Sequence, residues 1–304
     1  MAPSHLITKD HVKIFKGKYY LPWFKKQEVL HFKKPSKVIV FDLDETLGSF
    51  ADLYILWRGI KHVWPLCSSF YDLCELFPEF LRYGILTILE YLYDKKIKKE
   101  CHKIFIYTNN QCSADWVSMI SNYLETKVKT SSHNKSNHVL FDKMICAFKI
   151  NNKQIEPNRT GHSKKIDDFI RCSLVSENAD ICFVDDIEYP AMKSAKVYYI
   201  SPRPYIHTLS TTTIIKRVTQ AAWIQRGLLS NESFWRDWFH IHIYNRRTGS
   251  AELELDLQVS QKIIYHLREF MMFGAKNKND GKKTIRNKKR EGGSRETKKK
   301  QTRF

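Results

Sequence analysis

A parallel α/β sheet flanked by helices, with a further helical segment on its carboxyl side, is the architecture this sequence predicts. Three observations predict it. Short apolar runs rich in β-branched and aromatic residues recur along the middle of the chain: Lys37 to Asp42, Lys103 to Thr108, roughly Lys143 to Lys149, Asp180 to Asp185 and Lys196 to Ile200. Between them lie stretches with apolar residues at helical spacing, near 80 to 99, 113 to 126 and 163 to 174, and such alternation reads as strand-helix-strand units. Beyond Ser201-Pro202-Arg203-Pro204 the strand pattern stops, and Thr211 to Gly227, Asn231 to His242 and Leu257 to Phe273 keep only the helical period.

The first of these strands carries the chemistry. Val38, Ile39, Val40 and Phe41 read as a buried parallel strand. It ends in Asp42, Leu43 and Asp44, with Thr46 following, at the carboxyl end where open α/β sheets place their ligands. Side chains alternate along a strand, so Asp42 and Asp44 can face the same way. Two anions held that close repel unless a cation or a shared proton offsets them. The pair therefore calls for a divalent metal and for two carboxyls with different duties, one ionised and nucleophilic, the other protonated.

The later elements repeat this logic. Lys103 to Thr108 ends in a threonine followed by Asn109 and Asn110. In Gly161-His162-Ser163-Lys164-Lys165, Ser163 is a natural helix N-cap, which would put Lys164 and Lys165 in a first turn where the helix dipole disfavours cations. A phosphate or a cluster of carboxylates would want a cation there. Asp180 to Asp186 ends in the paired acids Asp185 and Asp186.

These four motifs, in this order, resemble the haloacid dehalogenase (HAD) superfamily of aspartate-nucleophile phosphatases. The resemblance implies a HAD-like Rossmannoid sheet in which Asp42 attacks phosphorus and becomes an aspartyl phosphate, splitting one hard step into two. It implies that Asp44 acts as general acid and then base, and that Thr108, Thr46 and nearby backbone N–H groups hold phosphoryl oxygens. Lys164, or by position Lys165, would neutralise charge. The implied cofactor is Mg²⁺, held by Asp42, the carbonyl of Asp44, and Asp185 or Asp186.

The intervals between motifs bear on substrate. From Thr46 to Thr108 is 62 positions and from Thr108 to Lys164 is 56, neither comfortable for an independently stable cap domain. A minimal cap and an open site favour phosphate presented on a macromolecule. Within the superfamily, Glu45 in Asp-x-Asp-Glu-Thr, the segment FLRYGILTILEYL and the run MICAFKI are similar to the NLI-interacting-factor-like phosphatases of the RNA polymerase II carboxy-terminal domain. That likeness covers about Ser36 to Tyr205 and implies a phosphorylated protein substrate, with the polymerase tail as its type. Two departures stand out: Asp185-Asp186 where that family has Asp-Asn, and Gly48-Ser49-Phe50 after Leu47 where it has Val-His-Ser. A nucleic-acid 3′-phosphatase, or a phospho-binding module without turnover, are the competing readings.

Composition bounds the rest. The 304 residues carry 51 Lys and Arg against 32 Asp and Glu, a net of +19, and Lys276 to Phe304 alone holds 13 basic and 3 acidic residues. That tail is expected to be disordered and to serve nuclear localisation or nucleic-acid contact, or merely solubility. The expected organisation is a basic, aromatic segment at 1–34, a phosphatase domain at 35–205, a helical extension at 206–275 and the tail at 276–304. The seven cysteines are scattered without Cys-x-x-Cys spacing, which predicts neither a zinc site nor a disulfide framework and fits an intracellular compartment, nucleus or cytoplasm. Cys67 and Cys74 are spaced as core positions of one helix. No run is long and apolar enough for a membrane span or a signal sequence, and Asn, Lys and Ile richness is a compositional mark of an AT-rich genome such as that of a large DNA virus. Trp223, Trp235, Trp238 and Phe239 predict a packed helical seam, and His240 and His242, two apart on a helix, diverge and make no metal pair.

Overall fold

The computed structural model describes residues 11–21, 36–132, 136–224, 227–242 and 253–273. One compact unit ends at Met271, and a second comprises Met272–Phe304. The basic tail, and Trp23 and Phe24 of the amino-terminal segment, lie outside the described residues.

Six strands form the main sheet, β1 (Val12–Lys16), β2 (Lys37–Phe41), β3 (Lys103–Tyr107), β4 (Lys143–Ile145), β7 (Asp180–Val184) and β8 (Val197–Pro202), and a separate small hairpin joins β5 (Lys149–Ile150) to β6 (Lys153–Gln154). The order is β1-β8-β7-β2-β3-β4, with β1 antiparallel at one edge and every other pairing parallel. The chain therefore winds outward from β2 through β3 to β4, returns, and winds the other way through β7 to β8. This reversal puts the topological switch point, where such sheets open a crevice, between β2 and β7.

The helices are α1 (Ala51–Val63), α2 (Phe70–Leu76), α3 (Ile85–Ile97), α4 (Ala114–Ser131), α5 (Ile166–Ser173), α6 (Thr211–Gln220), α7 (Glu232–His242) and α8 (Leu253–Met272). Alternation along the strands sends Val38 and Val40 to one face, where Phe105, Tyr107, Phe183 and Tyr199 join them beneath Phe169 and Cys172 of α5. On the opposite face, Tyr198 packs on Phe270 and hydrogen-bonds Glu269, both of α8. At the amino end of β2 the buried Lys37 ammonium donates to the carbonyls of Phe270 and Met271, at 2.5 and 2.7 Å, satisfying acceptors that a helix end leaves orphaned.

Several expectations need correction. The stretch expected as one strand from Lys143 to Lys149 leaves the sheet after Ile145, because the carbonyl of Cys146 turns to accept from Arg159 Nη1 (2.8 Å). The chain then makes the β5–β6 hairpin, whose turn residues Asn151 and Asn152 have φ of 48° and 62°, the left-handed pair that a tight hairpin requires. Helices α1 and α2 were not expected; Cys67 lies in the loop between them and Cys74 on α2, so the two cysteines do not share a helix. The helix expected from Thr211 to Gly227 ends at Gln220 and gives way to short 3₁₀ turns at Ala222–Ile224 and Gly227–Ser230. His240 and His242 do lie on a helix, as expected, and His242 Nδ1 pairs with the Trp238 carbonyl at 2.8 Å. No helix among the described residues is long and apolar enough to cross a membrane.

The extension is built into the same unit as the sheet. Trp238 Nε1 donates to the Ile55 carbonyl of α1 (3.0 Å), and Gly59 of α1 faces Trp235 so closely that a Cβ there would meet Trp235 Cζ3 at 2.5 Å. Gly to Ala inside a helix ordinarily stabilises by about 1 kcal/mol. Here we expect Gly59→Ala to reverse that sign and destabilise by about 1–3 kcal/mol through overpacking, read as a lower denaturant midpoint at unchanged m-value. A gain in stability would show that α7 does not clamp α1.

Candidate active site

The switch point gathers the acids. Asp42 and Asp185 are the first residues beyond the adjacent strands β2 and β7, and Asp42 N donates to the Val184 carbonyl (2.9 Å), so the two strand ends stay level. Asp42, Asp185 and Asp186 each offer a carboxylate oxygen, all within 4.8 Å of one another. Among the described residues this is the one cluster of that kind. Asp44 stands apart from it: its Oδ2 accepts from Asn110 Nδ2 at 2.7 Å.

Lys164 is the counter-charge. Its ammonium is buried, donates to Asp185 Oδ2 (2.6 Å) and to Asp42 Oδ1, and lies within 6 Å of the Tyr107, Phe183 and Tyr189 rings. Lys165 instead reaches Thr160 Oγ1 at 3.2 Å. The expected placement of Lys164 in a first helical turn does not hold. Helix α5 begins at Ile166, Lys165 is extended at φ −135°, and Ser163 makes no cap bond, so the helix dipole does not oppose Lys164; its two carboxylates fix it.

The electrostatics follow from this crowding. Burial, then the charges of Asp42 and Glu45, push the Asp44 carboxyl up to about 7 against the Asn110 hydrogen bond. Burial and the nearby Asp42 charge likewise raise Asp186 to about 6 and hold Asp185 above the usual carboxylate range although Lys164 pulls it down. Burial works against the Lys164 charge, but Asp42 and Asp185 outweigh it and raise its pKa. Three carboxylates with one ammonium leave an excess of negative charge that an oxygen-preferring cation would offset.

Thr46 and Thr108 are both buried, with hydroxyls already engaged. Thr46 Oγ1 donates to Asp186 Oδ1 and accepts from Asp186 N, each at 3.0 Å, tying the Asp42 loop to the Asp186 turn. Thr108 Oγ1 accepts from Asn110 N at 3.0 Å. In the loop after β2, Glu45 takes φ 55°, a left-handed conformation that costs a non-glycine residue about 1 kcal/mol. Among the described residues, no hydrogen bond is donated by the backbone N–H of Leu43, Asp44 or Thr46.

Two buried arginines that sequence reasoning missed hold these loops. Arg82 donates through Nε to the Thr46 carbonyl (2.6 Å) and through Nη2 to the carbonyls of Glu45 (2.5 Å) and Arg203 (2.9 Å). Arg82 thus holds two consecutive carbonyls of the strained loop. Arg159 donates to the carbonyls of Thr108 (2.9 Å), Cys146 (2.8 Å) and His162 (2.8 Å) and to Asn109 Oδ1 (2.6 Å), which joins the β3 end, the β4 end and the Lys164 loop. Asn110 and Tyr189 complete the missed set; of these only Asn110, beside the Thr108 motif, had a sequence signal.

Compared with family models, with curated proteins and with solved structures, the chain gives no match.

Because Arg159 serves four acceptors, we expect Arg159→Met to cost about 2–4 kcal/mol, the penalty for buried acceptors left without donors, measured by urea unfolding. A loss under about 0.5 kcal/mol would mean that these loops are held by other contacts.

Proposed function

We propose that this chain is a HAD-type phosphatase, a Mg²⁺-dependent phosphomonoesterase that passes through an aspartyl phosphate on Asp42 and acts on phosphoserine or phosphothreonine in proteins. The observation that carries the reading is the gathering of Asp42, Lys164, Asp185 and Asp186, drawn from three separate segments, at the switch point of a parallel sheet, with Asp44 and Thr108 both bonded to Asn110 beside them. Structural acids at strand ends have no need of one another; these share a lysine and a cluster. Helices α1 to α4, which lie between β2 and β4 in the chain, belong to the same compact unit as the sheet, which supports a minimal cap.

The residues suit the two half-reactions. A carboxylate oxygen of Asp42, its counter-charge supplied by Lys164, attacks phosphorus as the bond to the leaving oxygen breaks, and Asp44 gives its proton to that oxygen. Water then attacks the acyl phosphate, Asp44 takes the water's proton, and inorganic phosphate leaves with Asp42 restored. A pKa near 7 keeps a substantial share of Asp44 protonated at neutral pH, the form the first step needs. The unpaired N–H groups of Leu43, Asp44 and Thr46 are suited to phosphoryl oxygens. Asp42, Asp185, Asp186 and the Asp44 carbonyl, an all-oxygen donor set around excess negative charge, fit Mg²⁺, which when bound supplies charge stabilisation to the phosphoryl oxygens.

Hydrolysis of p-nitrophenyl phosphate should require Mg²⁺ and fall at least about 10³-fold in Asp42→Asn with the circular dichroism spectrum retained; Asp44→Asn should lose about 10²–10⁴-fold. Full activity of Asp42→Asn would remove the nucleophile. Saturating Mg²⁺, at about a hundred times its Kd, should stabilise the wild type by about 2.7 kcal/mol in thermal unfolding and leave Asp185→Asn much less affected. Equal stabilisation of both would place the ion elsewhere.

A further inference from the structure

We infer that Arg58, seated on Tyr54, forms an anion subsite on the leaving-group side of the pocket, which takes a carboxylate or second phosphate one or two residues from the phosphorylated residue of an acidic peptide. This deepens the phosphatase reading and rests on it.

The argument runs outward from Asp44, the group that would meet the leaving oxygen. Asn110 fixes Asp44 through Nδ2 and, through Oδ1, accepts from Cys112 N at 2.8 Å, so the loop after Thr108 is a rigid wall on that side. Helix α1 lies along this wall. The Tyr54 hydroxyl faces Cys112 and Ser113, and the Tyr54 ring packs edge-on against Trp116 of α4, with centroids 5.0 Å apart. One helical turn later, the Arg58 guanidinium lies 5.8 Å from the Tyr54 ring centroid.

Arg58 is exposed and forms no ion pair with any acid among the described residues. The other cationic side chains of α1 are engaged: Lys61 donates to the carbonyls of Pro65 and Cys67, and the His62 ring packs on Trp238. The backbone beneath Arg58 is fixed, since Asp52 of α1 is paired with His207 at 2.9 Å, both buried, and α7 clamps Gly59. A planar fork on a rigid helix is well suited to bidentate recognition of a carboxylate or phosphate. The geometry favours an anion over a nucleobase, because the guanidinium lies over the Tyr54 ring, whose edge meets Trp116, while Arg58 is exposed. Glu45, whose charge acts on Asp44, is the acid of the neighbouring loop, and Asp115 is exposed in the first turn of α4.

The test compares one phosphoserine peptide in three forms, with neutral neighbours, with aspartates flanking the phosphoserine and with a second phosphoserine two residues away, alongside a 3′-phosphorylated oligonucleotide. Wild-type enzyme should prefer the two anion-bearing peptides. Arg58→Ala should cut that preference about 5–20-fold, through KM and with little change in kcat, and Arg58→Lys should restore part of it. Equal loss on all three peptides, no loss on any, or an Arg58 effect confined to the oligonucleotide would overturn the subsite. The same peptides titrated onto Asp42→Asn by fluorescence anisotropy give the ranking without turnover. An Arg58-dependent ranking in binding with a catalytically silent wild type would remove the enzyme reading and keep the subsite; a working enzyme with no ranking would do the reverse.

Discussion

The pairing of Lys164 with Asp42 and Asp185 is the interaction on which the rest of this structure depends. Carboxylates up to 4.8 Å apart repel by about 3.5 kcal/mol per pair at an effective dielectric constant near 20, and no parallel sheet needs to bring them there for stability. One ammonium shared between two of them offsets part of that repulsion. Three aromatic rings around it exclude water, so the charge is held by protein groups alone. A buried ion triad of this kind is rarely a net source of stability. Its place at the switch point, where such sheets open a crevice, is in keeping with the proposed phosphoryl site.

Holding such a site requires loops that do not relax, and the two buried arginines provide this by binding carbonyls instead of acids. Arg82 engages consecutive carbonyls in the strained loop after β2, and Arg159 engages the ends of β3 and β4 with the loop that carries Lys164. Neither guanidinium forms an ion pair with an acid among the described residues. Their charge is dispersed over peptide dipoles and over the Tyr205 and Tyr107 rings. The division is physically sensible. The acids of the cluster are left to Lys164, while positive charge placed behind the loops steadies the backbone.

This arrangement also explains which parts were legible in the sequence. Asp42, Asp44, Thr108 and Asp185 could be read because each follows a run of strand-forming residues, so local pattern alone fixes where it emerges. Lys164 was legible as a residue and misplaced as an element: Ser163 has the chemistry of a cap, but the pull of two carboxylates keeps Lys164 in front of the helix and Lys165 extended. Arg82 and Arg159 act on carbonyls from distant segments, contacts with no sequence period, and Asn110 stood in view beside Thr108 while its bond to the Asp44 carboxyl did not. Helix α1 was hidden by its tryptophan, tyrosine and isoleucines, which favour helices weakly on their own and become helical here through packing against α7 and Trp116.

The carboxyl-side helices then have a reason to exist beyond filling a core. The sheet positions Asp42, Thr108 and Asp185 directly, whereas α1, which supplies Tyr54 and Arg58 at the rim, is the first element after β2 and owes its position to other helices. Asp52 is pinned by His207, Ile55 by Trp238 and Gly59 by Trp235, and each of those partners comes from beyond β8. On the proposed reading, the sheet and its loops alone would form the phosphoryl pocket. The added helices fix what lies beside it, so on that reading reactivity and selectivity would reside in different parts of one fold.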